Sequence, residues 1–110
     1  MAEIASGREL KAHGAEAISI ACIPGCYNGT LKPYPCLGFM ELQDAGLLGT
    51  CENDIRSTVA MMVFGAMTKG RIGYISDPAI DSSRRAMVFA HCVATRKFLG
   101  KDGPTCEYDI

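Results

Sequence analysis

The chain has 110 residues and a formal net charge of −1, room for one ordinary domain or a piece of a larger one. That balance leaves no electrostatic footprint for nucleic acid or an acidic membrane, so neither is expected as a partner. No apolar run approaches the roughly 20 residues of a membrane span, and Met1 to Ile4 opens without a signal region, so a cytoplasmic chain is expected.

Residues 2–13 read as a helix with Ile4, Leu10 and Ala12 apolar and Gly14 as its stop. Ala17 to Ile23 is uncharged and β-branched, as a strand would be. Residues 24–35 hold three prolines and two glycines, which predicts a long shaped loop, and loops of this length are often functional. Within it, Asn28-Gly29-Thr30 matches a glycosylation acceptor but reads as a turn. Pro35 can occupy the first turn of a helix that carries Cys36, Phe39, Met40 and Leu42 and stops at Gly46. Gly46 to Cys51, short and uncharged, then reads as a buried strand.

Asn53 or Asp54 can cap the next helix, which runs to Lys69 with Gly70 as its stop. Its residues Ile55, Val59, Met62, Val63, Ala66 and Met67 recur as one apolar stripe, expected to face the core. Arg71 to Ser76 is predicted as a strand that delivers Asp77-Pro78 at its end. A polar turn at residues 81–85 separates it from a further strand, Ala86 to Cys92, so the two should form an antiparallel hairpin. With the hairpin centred near Ser83, position 91 faces position 75 and His91 lies close to Asp77. Gly100 to Pro104 is a loop, and residues 105–110 end without a capping pattern. Alternating helices and strands predict an α/β fold, a mostly parallel sheet flanked by helices (a Rossmann-like half), with the hairpin near the C-terminal end. Residues 1–110 make a single domain or fragment of that kind.

Two features of composition bear on assembly and redox state. Counting the 12 glycines in place of the 4 tyrosines lifts the apolar fraction from 48% to about 55%, against about 45–50% in average domains. So small a chain buries only about two-thirds of its unfolded surface. The surplus predicts that part of the surface packs on something else. The six cysteines, Cys22, Cys26, Cys36, Cys51, Cys92 and Cys106, include no CxxC pair, and those beside apolar runs read as small core residues.

The chemistry centres on Glu52, in the turn between a buried strand and a capped helix. Parallel sheets place ligands at the carboxyl edge of their strands. Asp77 is expected at the same edge, with His91 near it. Two carboxylates and an imidazole suit Mn²⁺ or Mg²⁺ better than a thiol-preferring ion. Such an ion polarises a carbonyl while a ligand carboxylate moves a proton. The structural alternative is that Asp77-Pro78 starts a turn and His91 is an ordinary strand histidine. Neither GxxxxGK[ST] nor GxGxxG occurs, which counts against nucleotide chemistry.

Tyr34-Pro35-Cys36-Leu37, then Gly49-Thr50-Cys51-Glu52-Asn53-Asp54-Ile55, Met61-Met62, Ser76-Asp77-Pro78 and Ala90-His91-Cys92 occur in this order. The ordered set resembles the L-fucose isomerase family, the wider group of fucose and arabinose isomerase-like enzymes, over residues 16–110. The resemblance implies an aldose–ketose isomerase, an intramolecular oxidoreductase of carbohydrate metabolism, that holds Mn²⁺ at the sheet edge. It implies that Glu52 and Asp77 are the paired metal-binding carboxylates and the acid/base pair moving a proton between sugar C1 and C2 through an enediol. It also implies His91 as a metal ligand, by likeness to arabinose isomerases, where a histidine follows the second carboxylate. Family members are several times longer and form homo-oligomers. This chain therefore resembles their central segment, expected to pack against absent domains or further copies.

Two alternatives stand beside that expectation. One is a non-catalytic α/β fragment or subunit that associates with protein through its apolar surface. The other is a thiol-based redox or metal-handling protein using Cys22, Cys26 and Cys51.

Overall fold

A computed structural model describes residues 2–100 and 102–107 of the chain. Helix α1 (Ala2–His13) leads into strand β1 (Ala17–Ser19), α2 (Cys22–Tyr27), α3 (Cys36–Asp44), β2 (Leu48–Thr50) and α4 (Ile55–Met67). Strands β3 (Asp77–Asp81) and β4 (Ala86–Ala90) close the order. The fold is α/β. β1 and β2 pair in parallel with Ile18 opposite Gly49, helices flank them, and β3 and β4 form a separate antiparallel hairpin.

The core lies where α1 and α3 meet the parallel pair. Phe39, fully buried, packs there with Leu10, Cys22, Leu42, Cys51 and Val93. α3 sits so close to β2 that a Cβ on Gly49 would lie 2.7 Å from the Cα of Phe39, so only glycine admits this contact. Gln43, on α3, donates to the Gly49 carbonyl at 2.7 Å. α4 starts at a built cap: the Asp54 carboxylate accepts from the Ser57 amide at 3.0 Å, satisfying one free N–H of the first turn. The Ser57 hydrogen bond holds the Asp54 carboxyl below the usual carboxylate range. Thr58 then donates to the Asp54 carbonyl at 2.6 Å and lies 2.7 Å from the Thr50 hydroxyl, which ties α4 to β2.

After β4 the chain returns to this core. Val93 joins the apolar cluster, and the buried Asp44 carboxylate at the end of α3 accepts from the Thr95 hydroxyl and the Arg96 amide, both at 2.9 Å, and from Arg96 Nε. Lys97 Nζ donates to the Asp44 carbonyl at 2.9 Å. Burial by itself would raise the Asp44 pKa, but the Arg96 and Thr95 hydrogen bonds outweigh it and hold the carboxyl below the usual range. This clamp fixes where the base of the hairpin stands.

Four expectations are corrected. The expected strand from Ala17 to Ile23 stops at Ser19, and the expected loop opens as α2, because Pro24 falls in the first turn, where a missing N–H costs nothing. Residues 71–76 are not a strand. Gly73 takes φ +69°, Ile72 lies against Gly65 of α4, and Tyr74 stacks edge-on with Phe98 at 5.6 Å, so the segment follows the helix rather than a sheet. Asp77 therefore enters β3 instead of leaving a strand. The hairpin register pairs Asp77 with Ala90, one residue from the expected alignment, and leaves His91 just past β4. The Asn28 turn is as expected: its side-chain oxygen accepts from the Thr30 amide at 3.0 Å. Of the loop and tail expected over 100–110, Lys101 and residues 108–110 lie outside the described residues.

The fourth correction concerns α4. Its apolar stripe does not face the core: Ile55, Val59, Met62, Val63, Ala66 and Met67 are all exposed, while Thr58 and Met61 are buried. A two-stranded sheet is too narrow to cover more of the helix. The hairpin is likewise bare, with Ile80, Met87, Val88 and Phe89 exposed. The chain exposes 7820 Å², against about 5900 Å² for a compact monomer of its 11.8 kDa.

Candidate metal centre

Three segments distant in sequence meet where the two sheets approach. Glu52 stands two residues past β2, at the carboxyl end of the parallel pair. Asp77 and His91 flank the open end of the hairpin, so the β3–β4 ladder brings them together. His91 Nε2 lies 3.8 Å from Glu52 Oε1 and 4.0 Å from Asp77 Oδ2. One donor atom from each of the three residues falls within 4.8 Å of the others. The imidazole is buried at 4% exposure, whereas the Glu52 and Asp77 side chains are 41% and 82% exposed. The site is a fixed nitrogen donor at the bottom with two carboxylates reaching it from the solvent side.

The turn that carries Glu52 is held from both sides. The Asn53 amide donates to the Ile20 carbonyl at 3.1 Å and the Asp54 amide to the Cys51 carbonyl at 3.2 Å. Ser19 donates from below to the carbonyls of Thr50 and Cys51. Glu52 itself has φ +62° and Asn53 φ +55°, both in the left-handed region. Asparagine tolerates that region, but glutamate there carries strain that surrounding contacts must impose.

The donor set fits a hard divalent cation. An ion about 2.1 Å from each ligand would separate them by about 3 Å when adjacent and about 4 Å when opposite, and the two His91–carboxylate distances, 3.8 and 4.0 Å, fall in that span. Beside the trio, a groove of about 450 Å³ runs between α4 and residues 71–77, lined by Ser57, Met61, Phe64, Arg71, Ser76 and Asp77 among others. The Ser76 hydroxyl, next to Asp77, is buried without a hydrogen-bond partner.

The chain is 26% identical over 88 residues to sulfoquinovose isomerases of Priestia aryabhattai and Priestia megaterium. The aligned part covers 79% of this chain but 20% of each relative. The chain therefore spans about a fifth of the length of the curated relatives it matches. No family model matches the chain. No solved structure gives a significant match. Among the described residues no helix is long and apolar enough to cross a membrane.

The sequence reading named Glu52, Asp77 and His91, and the structure brings all three together. It missed a neighbouring cluster. Cys36, Cys51 and Cys92 place their sulfurs within 4.8 Å of one another, and Cys51 and Cys92 approach to 3.3 Å. Cys26, expected to act with Cys22 and Cys51, instead points toward the Pro33 carbonyl at 4.0 Å. The signal for the missed cluster was adjacency: Cys51 precedes Glu52 and Cys92 follows His91, so whatever joins the acidic residue and the histidine also joins the thiols.

Proposed function

We propose that this chain forms the metal-holding edge of a metal-dependent sugar isomerase that interconverts an aldose and a ketose. The convergence of Glu52, Asp77 and His91 from three separate segments carries the reading. The similarity to sulfoquinovose isomerases supports the isomerase class. Mn²⁺, with Mg²⁺ as its substitute, is the ion this donor set favours.

Such an ion, when bound, polarises the sugar carbonyl and stabilises negative charge on the adjacent oxygens. The remaining work falls to the protein. His91, buried and fixed at the base of the hairpin, sets where the carboxylates converge. Glu52 and Asp77 form the proton-moving pair: one carboxylate removes the proton from the carbon beside the carbonyl while the other, in its acid form, protonates the carbonyl oxygen. The first then returns its proton to the former carbonyl carbon as the second takes the proton of the neighbouring hydroxyl, which becomes the new carbonyl. Between those steps the sugar is an enediol, and a positioned base of this kind contributes about 10²–10⁴-fold in rate. The groove beside Asp77 has a volume in the range of small-molecule sites and would seat the sugar.

Mn²⁺ titration of the chain, read by loss of the free-ion electron paramagnetic resonance signal, tests this. One ion should bind per chain, and Glu52→Gln, Asp77→Asn and His91→Gln should each weaken binding at least about tenfold. Unchanged affinity in all three variants overturns the reading.

A second reading, association through protein contacts, has its own observation: the bare apolar face of α4 and the hairpin. It is compatible with the first, since an isomerase segment of this kind would pack its α4 stripe on further domains or further copies of itself. Sedimentation of the chain at micromolar concentration should show self-association, and a strictly monomeric chain would remove support for the homo-oligomer.

A further inference from the structure

Behind the carboxylate–histidine trio lies a second donor set of opposite chemistry. Cys36 opens α3, Cys51 follows β2 and Cys92 follows β4, so three separate segments deliver three sulfurs to one point. The back of the cluster is closed: Cys51 is 1% exposed and packs in the core with Cys22, Phe39 and Val93. The front is open, because Cys92 reaches solvent. His91 forms the wall between the two sites, with Nε2 toward the carboxylates and Nδ1 3.8 Å from the Cys92 sulfur.

We propose that Cys36, Cys51 and Cys92 form a second cation site, selective for a thiophilic ion such as Zn²⁺ or its probe Cd²⁺, with His91 Nδ1 as the available fourth donor. A tetrahedral ion with metal–sulfur bonds of about 2.3 Å holds its sulfurs about 3.8 Å apart. Cys51 and Cys92 stand at 3.3 Å, about half an ångström inside that value, and all three sulfurs lie within 4.8 Å of one another, so small side-chain rotations would seat the ion. Three cysteines and one histidine are an established donor set for such ions. A buried thiol has no need of thiol neighbours for packing. An ion that binds must displace thiol protons, so binding should release protons and strengthen as pH rises.

This site shares only His91 with the proposed isomerase reading, and its test separates the two. The reduced full chain is titrated with Cd²⁺ alone at pH 7.5 while ultraviolet sulfur-to-cadmium charge-transfer absorption and proton release are followed. One equivalent should bind and release about two to three protons. Cys92→Ser, at an exposed position, and Cys36→Ser should each weaken binding by at least about 100-fold, more than loss of an outer partner costs. Far-ultraviolet circular dichroism checks that each variant is folded, and either folded variant suffices. Cys26→Ser, Cys106→Ser and the double variant Glu52→Gln/Asp77→Asn should bind Cd²⁺ as the parent chain does. The proposal is overturned if no charge-transfer band forms, if both cluster variants bind normally, or if the double variant removes the band.

Discussion

Glu52 offers a way to separate what the turn costs from what the side chain does. Its φ of +62° is the conformation that an L-residue with a Cβ adopts at a cost of about 1–2 kcal/mol. Alanine at position 52 would keep that cost and lose the carboxylate. Glycine would lose the carboxylate and the cost together, though its greater freedom in the unfolded chain takes back about 0.5–1 kcal/mol. Glu52→Gly should therefore be more stable than Glu52→Ala by about 0.5–1 kcal/mol, a rise of about 2–6 °C in Tm for a domain of this size. Both should bind Mn²⁺ poorly and equally. Thermal unfolding followed by circular dichroism, with the Mn²⁺ titration alongside, gives both readouts. A control at Asn53, whose φ is +55°, should show smaller gains on Asn53→Gly, because asparagine already tolerates the region. Alanine as stable as glycine at position 52 would refute the strained turn, and with it the idea that stability is given up there to aim a carboxylate.

Three further outcomes follow from the packing. Asp44→Asn should destabilise the chain by about 2 kcal/mol in urea titrations, since it removes charge-assisted hydrogen bonds to Thr95 and Arg96. Because the folded Asp44 pKa is depressed, its contribution is complete above the unfolded value of about 3.9 and is lost as pH falls through the folded value. The gap between parent and Asp44→Asn stabilities should thus be constant above about pH 5 and close below about pH 4. Gly49→Ala should cost about 1–3 kcal/mol by forcing Phe39 and its helix off β2, measurable as a lowered urea midpoint at unchanged m-value. Thr58→Val should cost about 1–2 kcal/mol by removing the link between Thr50, Thr58 and the Asp54 carbonyl.

What could be read from the sequence follows the range of the forces involved. The capped start of α4 at Asp54, the stop of α1 near Gly14 and the polar hairpin turn are local events, and each is encoded within a few residues. The meeting of Glu52, Asp77 and His91 was legible for the same reason: one stands in a strand-to-helix turn, and a short hairpin brings the other two together. The fate of residues 71–76 was not local. A run such as Ile72, Tyr74 and Ile75 becomes a strand only if another strand offers it hydrogen bonds, and here α4 and Phe98 hold it instead. The α4 stripe failed for a related reason. Periodicity establishes that one face of a helix is apolar, but whether that face is covered depends on how much sheet the chain can place beneath it. The thiol cluster depended on the return of residues 92–97 to α3, a contact about 50 positions long in sequence that no spacing rule carries.

That return also explains how an exposed hairpin can hold part of the candidate site. A lone two-stranded hairpin is marginal in water, and this one leaves Ile80 80% exposed and Met87, Val88 and Phe89 each more than half exposed. Its far end has little to fix it. Its base is different: Val93 is locked in the core and Thr95, Arg96 and Lys97 are clamped to Asp44, within six residues of His91. Order should therefore decay along the hairpin from His91 and Asp77 toward the Ser83 turn. The donors stand at the ordered end, beside the rigid turn of Glu52. On the proposed reading the bare apolar faces of the hairpin and α4 are where further protein would pack, so association would stiffen the tip while leaving the metal-holding edge already formed.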